Sequence, residues 1–494
     1  MKILRIVSIA TLVLTFVFLG DAQTSTKPQH YKKLKYPALR QVQIPEPMRF
    51  TLNNGMVVYL LEDHTLPLME GSVLVRTGSR YEPAEKVGLA SITGQVMRTG
   101  GTTTKTGDEL DEMLEKVGAS VETYVGTTSG GARLSVLKED IDLGLGILAD
   151  VLKNPAFRDD KIDLAKVASR SAISRRNDQV TAIAGREFYR LIYGPNHPYA
   201  RMTEYATIEN ITKQDLIDFH KKYFVPNNMM LALWGDFNAT EMKAKIEQTF
   251  GEWERKEVTL PPVPQPRLAS QKTVNFIKKE DVNQSNIYLG HLGGMLNDPE
   301  SGSLNVADQA FGGATASRLF KKVRSGQGLA YSVGSFWGES YDYPGAFRMS
   351  GSTKSGTTVK MIRSILNEFD SFIKNGITDD ELKYAKDSYL NSFVFRYDTK
   401  GKIINELMTL EYYGYPKDFI RKQQQDVEQA TKQSVNDAVR NRWKPDALAF
   451  LVVGKDSDFD EPLSSLGTNV RTIDITIPAP PERLPDATPE TIAK

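Results

Sequence analysis

The chain has 494 residues, a formal net charge of +1, 40% hydrophobic residues and 25% charged residues. That is the balance of an ordinary globular protein, and it lacks the basic excess that nucleic-acid binders carry. There is no cysteine, which excludes disulfides, thiolate metal sites and a lipid-modified cysteine after a leader.

The first element is a processing signal. Lys2 and Arg5 make a short basic start, and residues 6–19 are apolar apart from Ser8, Thr11 and Thr15. Gly20-Asp21-Ala22 then offers small residues at the two positions a signal peptidase reads. This predicts a secretory signal over 1–22, cleaved after Ala22. The apolar run is too short to span a bilayer, which takes about 20 residues. No later stretch is apolar enough to cross one. The mature chain is expected to be exported, to the periplasm if the source is bacterial. Residues 23–44 read as an N-terminal extension.

Residues 45–255 read as a first domain. "MVVYLLED" and "GSVLVRTG" read as paired strands, and "LDEMLEKVGASVETYVG" as a helix running into a strand. "TKQDLIDFHKKYFVPNNMMLALWGDF", from Thr212, reads as a capped helix, a proline stop and a buried strand ending in glycine. Pro261, Pro262, Pro264 and Pro266 make 256–270 a stiff, extended linker. Residues 271–475 read as a second domain. In it "SNIYLGHLGG" matches the second early strand, and "RLFKKVRSGQGLAYSVGSF" is again helix then strand. Thr378 and Glu381 form a capping box before "DDELKYAKDSYLNSFVF". The proline-rich tail 476–494 is expected to lie exposed or along the surface.

"TKQSVNDAVRNRWKPDALAFLVVGKD", from Thr431, repeats the Thr212 segment. An offset of 219 aligns Thr212 with Thr431, Asp218 with Asp437, Pro226 with Pro445 and Gly235 with Gly454. This is an internal duplication. Length alone suggests roughly three domains at about 150 residues each, but the repeat argues for two. Each half mixes strands and helices without strict alternation, so the fold class is α+β.

These residues resemble the pitrilysin/insulinase family of inverted zinc peptidases, which includes the mitochondrial processing peptidases. The marks are "LNNGMVVYL", "GSRYEP", "GLA" at Gly88, "LEKVGA", "NPAF", "YGPNHPYAR", "GGATASRLFKKVRSGQGLAYSVGS" and the two TKQ segments. The resemblance covers about residues 45–475. It implies two homologous domains, each a mixed sheet with helices packed on it, arranged as a clamshell.

The family's chemistry rests on H-x-x-E-H in a helix, whose spacing puts all three side chains on one face. The histidines bind zinc and the Glu takes a proton from the zinc-bound water. Aligned through Gly88-Leu89-Ala90, this chain has Ser91, Gly94 and Gln95 at those places. Ser and Gln do not replace imidazole on zinc, and glycine offers no side chain. The distal Glu ligand lies roughly 75 residues on, where Ser171 is the best match. Of the five histidines (His30, His64, His197, His220 and His291), no two stand at ligand spacing. His220 is expected to be a partly exposed helix residue. No metal is expected on this chain.

The resemblance also marks Arg324 and Tyr331, seven apart, as matching a pair that active members carry in the second domain. There the Arg holds a substrate carbonyl and the Tyr hydroxyl stabilises the oxyanion. Some members are heterodimers in which one chain carries H-x-x-E-H and the other this pair. The leading expectation is therefore a subunit of an exported zinc endopeptidase, with the zinc on a homologous partner and a peptide or unfolded polypeptide as substrate. The first-half edge "ASVETYVGTTSGG" departs from the family's Asn-Ala pattern. The alternative is an inactive peptide-binding or structural homologue, like the core subunits of respiratory complexes. An autonomous metalloenzyme with new ligands ranks third.

Overall fold

The computed structural model describes residues 43–267, 273–467 and 469–480. The expected signal peptide, residues 23–42 of the extension, the end of the linker from 268, the tail beyond 480 and His30 lie outside them.

The described residues build two six-stranded mixed sheets. The first holds β1 (Met48–Thr51), β2 (Val57–Glu62), β3 (Leu68–Val75), β4 (Ser120–Val125), β5 (Gly130–Leu137) and β6 (Met229–Gly235), in the order β1-β2-β6-β3-β5-β4. The second half supplies β7 (Thr273–Lys278), β8 (Gln284–Leu292), β9 (Gly294–Met295), β10 (Ser332–Trp337), β11 (Glu339–Ser340), β12 (Ala346–Lys354), β13 (Ala449–Gly454) and β14 (Val470–Thr472). Its main sheet runs β10-β12-β8-β13-β7-β14, and β9 pairs with β11 separately.

Read from the other end, five strands of the second sheet repeat the first: β7-β13-β8-β12-β10 against β2-β6-β3-β5-β4. The outer strands differ, since β1 is antiparallel to β2 whereas β14 is parallel to β7. The fold is thus a duplicated α+β clamshell type. Both TKQ segments fold as the sequence predicts. Thr212 caps the helix Lys213–Tyr223 in a box with Asp215, and Thr431 caps Lys432–Arg442 in a box with Ser434. Pro226 and Pro445 follow, and β6 and β13 end at Gly235 and Gly454.

One expectation fails. The strands β2 and β3 are not paired, because β6 lies between them, parallel to β2 and antiparallel to β3. The sequence of β6, MMLALWG, is buried along nearly its whole length. A strand apolar on both faces belongs in the middle of a sheet.

Both faces are covered, and the covering explains how the halves hold together. On β2, Val58 and Leu60 enter one core while Tyr59 and Leu61 enter another, as the period of two requires. The first face is covered by the half's own helices, including Leu89–Thr99, Ile141–Lys153 and Ala239–Phe250. The second face is covered by a helix from the other half. Ile404, Met408 and Tyr412, on the helix Lys400–Tyr412, pack on Tyr59, Leu61, Leu74 and Met230. In return, Ile183, Ala184, Phe188 and Ile192, on the helix Val180–Tyr193, pack on Ile277, Leu451 and Val453. The 219-residue offset maps one helix onto the other, so the exchange is symmetric. Each buried large side chain is worth about 1.5–3 kcal/mol, and separating the halves would expose both sets. Among the described residues no helix is long and apolar enough to cross a membrane.

Candidate functional site

The residues at the inherited metal positions lie on the helix Leu89–Thr99. Gly88 precedes it at φ 111°, a left-handed conformation that suits glycine. The Glu82 carboxylate closes its N-terminus, accepting from Gly88 N at 3.2 Å and Ala90 N at 2.9 Å. Burial pushes the Glu82 carboxyl up, while these two bonds pull it down.

Ser91 and Gln95 are exposed, one turn apart. Gly94 is buried against β4. Thr123 Oγ1 donates to Gly94 O at 2.6 Å, and a Cβ on Gly94 would stand 2.2 Å from Val125 N and 2.6 Å from the Tyr124 carbonyl carbon. A general-base carboxylate therefore has no room at this position. Ser171 is exposed on the helix Asp159–Ser174, and its carbonyl accepts from Ser174 Oγ at 2.9 Å. Among the described residues no group of three or more His, Asp or Glu side chains is placed to hold a metal ion. A zinc centre does not fit the residues present.

The described histidines have other partners. His64 is exposed and meets Asp236 Oδ1 at 2.6 Å. His197 stacks against Tyr193. His291 Nδ1 lies 2.6 Å from Leu292 O, and its Nε2 accepts from Lys444 N. His220 corrects an expectation, since it is buried rather than partly exposed, with Nε2 2.9 Å from Leu152 O. It stands on the inner face of its helix with Leu216, Phe219 and Tyr223, and burial pushes its pKa down to about 4.

Arg324 lies in a π-helical segment, Phe320–Gly326, with its guanidinium 4.5 Å from the Phe320 ring centroid. Tyr331 immediately precedes β10. Its N–H donates to Ser352 O at 3.2 Å and its side chain is 82% exposed. Arg324 is exposed as well. Among the described residues neither side chain has a hydrogen bond or ion pair with the protein, and none joins them to Ser91, Gln95 or Ser171.

Two carboxylates beside this region escape a sequence reading. Asp308, at the end of the helix Ser301–Asp308, accepts from Ser335 Oγ at 2.5 Å, and burial pushes its pKa up to about 6. Glu339 accepts from Ser301 Oγ (2.9 Å), Asn305 Nδ2 (3.1 Å) and Trp337 Nε1 (3.0 Å), and burial pushes it up to about 7. Apart from Trp337, two residues from Glu339, their donors come from other segments, and no local pattern announces their burial.

Two α+β halves of one topology, with a peptidase motif stripped of its ligands, define a peptidase-type fold without its metal centre. The chain belongs to the insulinase family, peptidase family M16. The family model described as insulinase (peptidase family M16) matches residues 57–191, and that described as the peptidase M16 inactive domain matches 210–389. Among similar proteins is the uncharacterized zinc protease YmxG of Bacillus subtilis, 25% identical over 348 residues, covering 70% of this chain and 83% of that one. The non-peptidase homolog YmxG of Helicobacter pylori is 25% identical over 407 residues, covering 79% and 90%. Among solved structures, a peptidase M16 inactive domain from Pseudomonas fluorescens superposes with a TM-score of 0.76 at 22% identity, covering 85% of this chain and 100% of that one. The periplasmic protease PqqL from Escherichia coli gives 0.70 at 17% identity, covering 87% and 50%. At these identities the structural likeness speaks for the fold.

Proposed function

We propose that this chain is a catalytically silent member of its family, acting by holding a polypeptide or a protein partner rather than by cutting a peptide bond. The observation that carries this reading is Gly94, buried against the β4 backbone where the general base would stand. Ser91 and Gln95 beside it supply no imidazole for zinc. The likeness to a protein named a non-peptidase homolog is in keeping with it. The test is a hydrolysis assay on the purified mature chain against a mixed peptide library. The reading expects no cleavage with or without added zinc, and zinc-dependent cleavage would end it.

A second reading is supported by Arg324 and Tyr331. Both side chains are exposed, and among the described residues neither makes a hydrogen bond or ion pair, Arg324 lying only over the Phe320 ring; groups that act on something outside the chain would stand so. In this reading they serve a homologous subunit carrying H-x-x-E-H, and the zinc sits on that partner. Purification of the tagged chain from its host distinguishes the two. A stoichiometric H-x-x-E-H partner favours the split peptidase, and its absence favours the silent binder. Export to the periplasm belongs to either reading, supported by the basic-then-apolar start of the sequence and by the likeness to a periplasmic protease.

A further inference from the structure

β4 and β10 are the last strands at equivalent ends of their sheets. Such edges present unpaired backbone groups to which an extended peptide adds as a strand. The bond from Gly126 N to Ser129 O (2.8 Å) sets the phase of the β4–β5 ladder. In that phase Val121, Thr123 and Val125 turn their N–H and C=O groups away from β5, toward the open edge. The helix Leu89–Thr99 occupies this edge. Arg98 Nε donates to Val121 O at 2.8 Å, and Thr123 Oγ1 donates to Gly94 O at 2.6 Å. Gly94 lies so close to the Tyr124–Val125 peptide that backbone, not a flexible side chain, fills the space of a Cβ.

The second half does the same with different chemistry. The bond from Gly338 N to Ala346 O (3.1 Å) turns Val333, Ser335 and Trp337 outward on β10. The buried Asp308 carboxylate accepts from Ser335 Oγ at 2.5 Å, and the nearby Trp337 backbone N–H favours its charged form. Gly312, in the π-helical segment Gln309–Gly313, lies where a Cβ would stand 2.3 Å from Ser335 N. The repeat offset of 219 carries Gly94 to Gly313, the neighbour of Gly312. In one half a cation takes an outward carbonyl, and in the other a carboxylate lies beside an outward N–H and holds the Ser335 hydroxyl.

We infer that both strand-accepting edges are closed by the chain's own helical segments, with Gly94 and Gly312 as the residues that permit the closure. Neither edge is free to take a peptide as an added strand. Restoring the lost ligand residues does not restore a metal centre, because the position of the base carries backbone in place of a side chain. This goes beyond the function proposed above, and the two fail separately, since a wild-type chain that cleaves nothing upholds that proposal whatever the variants below do.

The test uses the full mature chain and its thermal midpoint. Gly94→Ala and Gly312→Ala each push a methyl into backbone and lower Tm by about 4 °C or more. Gly146→Ala, at an exposed helical glycine with nothing within 4 Å, keeps or raises it. Ser91→His with Gln95→His, both at exposed positions, leaves Tm within about 1–2 °C. Adding Gly94→Glu to that pair unfolds the chain or lowers Tm further, with no stoichiometric zinc. In the native chain the Trp337 amide exchanges with deuterium as slowly as paired amides of β12. Gly94→Ala with a wild-type Tm, the triple variant folding stably, or a Trp337 amide exchanging at an open-edge rate would each overturn the closure.

Discussion

Arg80 and Asp342 stand 262 positions apart in the chain, and Arg80 donates to the Asp342 carboxylate at 2.7 Å. The pair bridges the two halves, with the Arg80 side chain only 4% exposed. Around it Arg80 lies over Tyr81, and Tyr199 stacks on Tyr343 with centroids 3.7 Å apart. Removing one partner of a buried pair leaves an uncompensated charge, which typically costs about 3–5 kcal/mol. Asp342→Ala should therefore lose about 3 kcal/mol in urea unfolding, and a loss below about 1 kcal/mol would show the bridge to be incidental.

The exchanged helices predict that the halves unfold together. Phe188 is fully buried between the helix of one half and the sheet of the other. Phe188→Ala should cost about 3–5 kcal/mol and shift one calorimetric transition as a whole. Two separated transitions, only one of them moved, would contradict the exchange as the source of cohesion.

Glu339 predicts an unusual pH dependence. Its folded pKa is raised from 4.5 to about 7, so the folded state holds a proton that the unfolded state releases. Stability from this group is therefore present below about pH 4.5 and is lost as pH rises toward about 7. Glu339→Gln removes the buried charge. Relative to wild type it should gain stability at pH 8, on the order of 3 kcal/mol at most, and little at pH 5. Taking the difference between variant and wild type cancels the opposite trend from the buried His220 and His291. An equal effect of the substitution at both pH values would show that burial does not govern this carboxyl.

Arg324→Ala and Tyr331→Phe touch exposed groups with no hydrogen bond or ion pair among the described residues, so each should leave stability within about 1 kcal/mol, the loss of the Arg324–Phe320 contact included. In the split-peptidase reading both lower the turnover of the assembled complex by about tenfold or more. Unchanged turnover in both would remove them from the site.

The local part of this fold was legible in the sequence. Thr212 and Thr431, the prolines after each helix and the closing glycines are short-range punctuation, and both segments fold as read. The failures are long-range. A hairpin between β2 and β3 satisfies every local rule, and only the buried run of β6, more than 150 residues away, displaces it. His220 is buried against the expectation, yet Leu216, Phe219 and Tyr223 stand around it at helical spacing and mark its face as the inner one. The missing ligands at Ser91, Gly94 and Gln95 were plain from residue type. The closeness of Gly94 to Val125 was not, since one stretch does not show which backbone it meets. The carboxylates of Asp308 and Glu339 were invisible for the same reason.

Zinc content decides whether Ser91, Gly94 and Gln95 leave the chain without a catalytic metal. Elemental analysis of residues 23–494, purified without chelators, incubated with excess zinc and then desalted, should find well under one zinc per chain and no peptidase activity in the same sample. One zinc per chain, removed by a chelator together with a measurable activity and restored with it, would show a working metal centre instead.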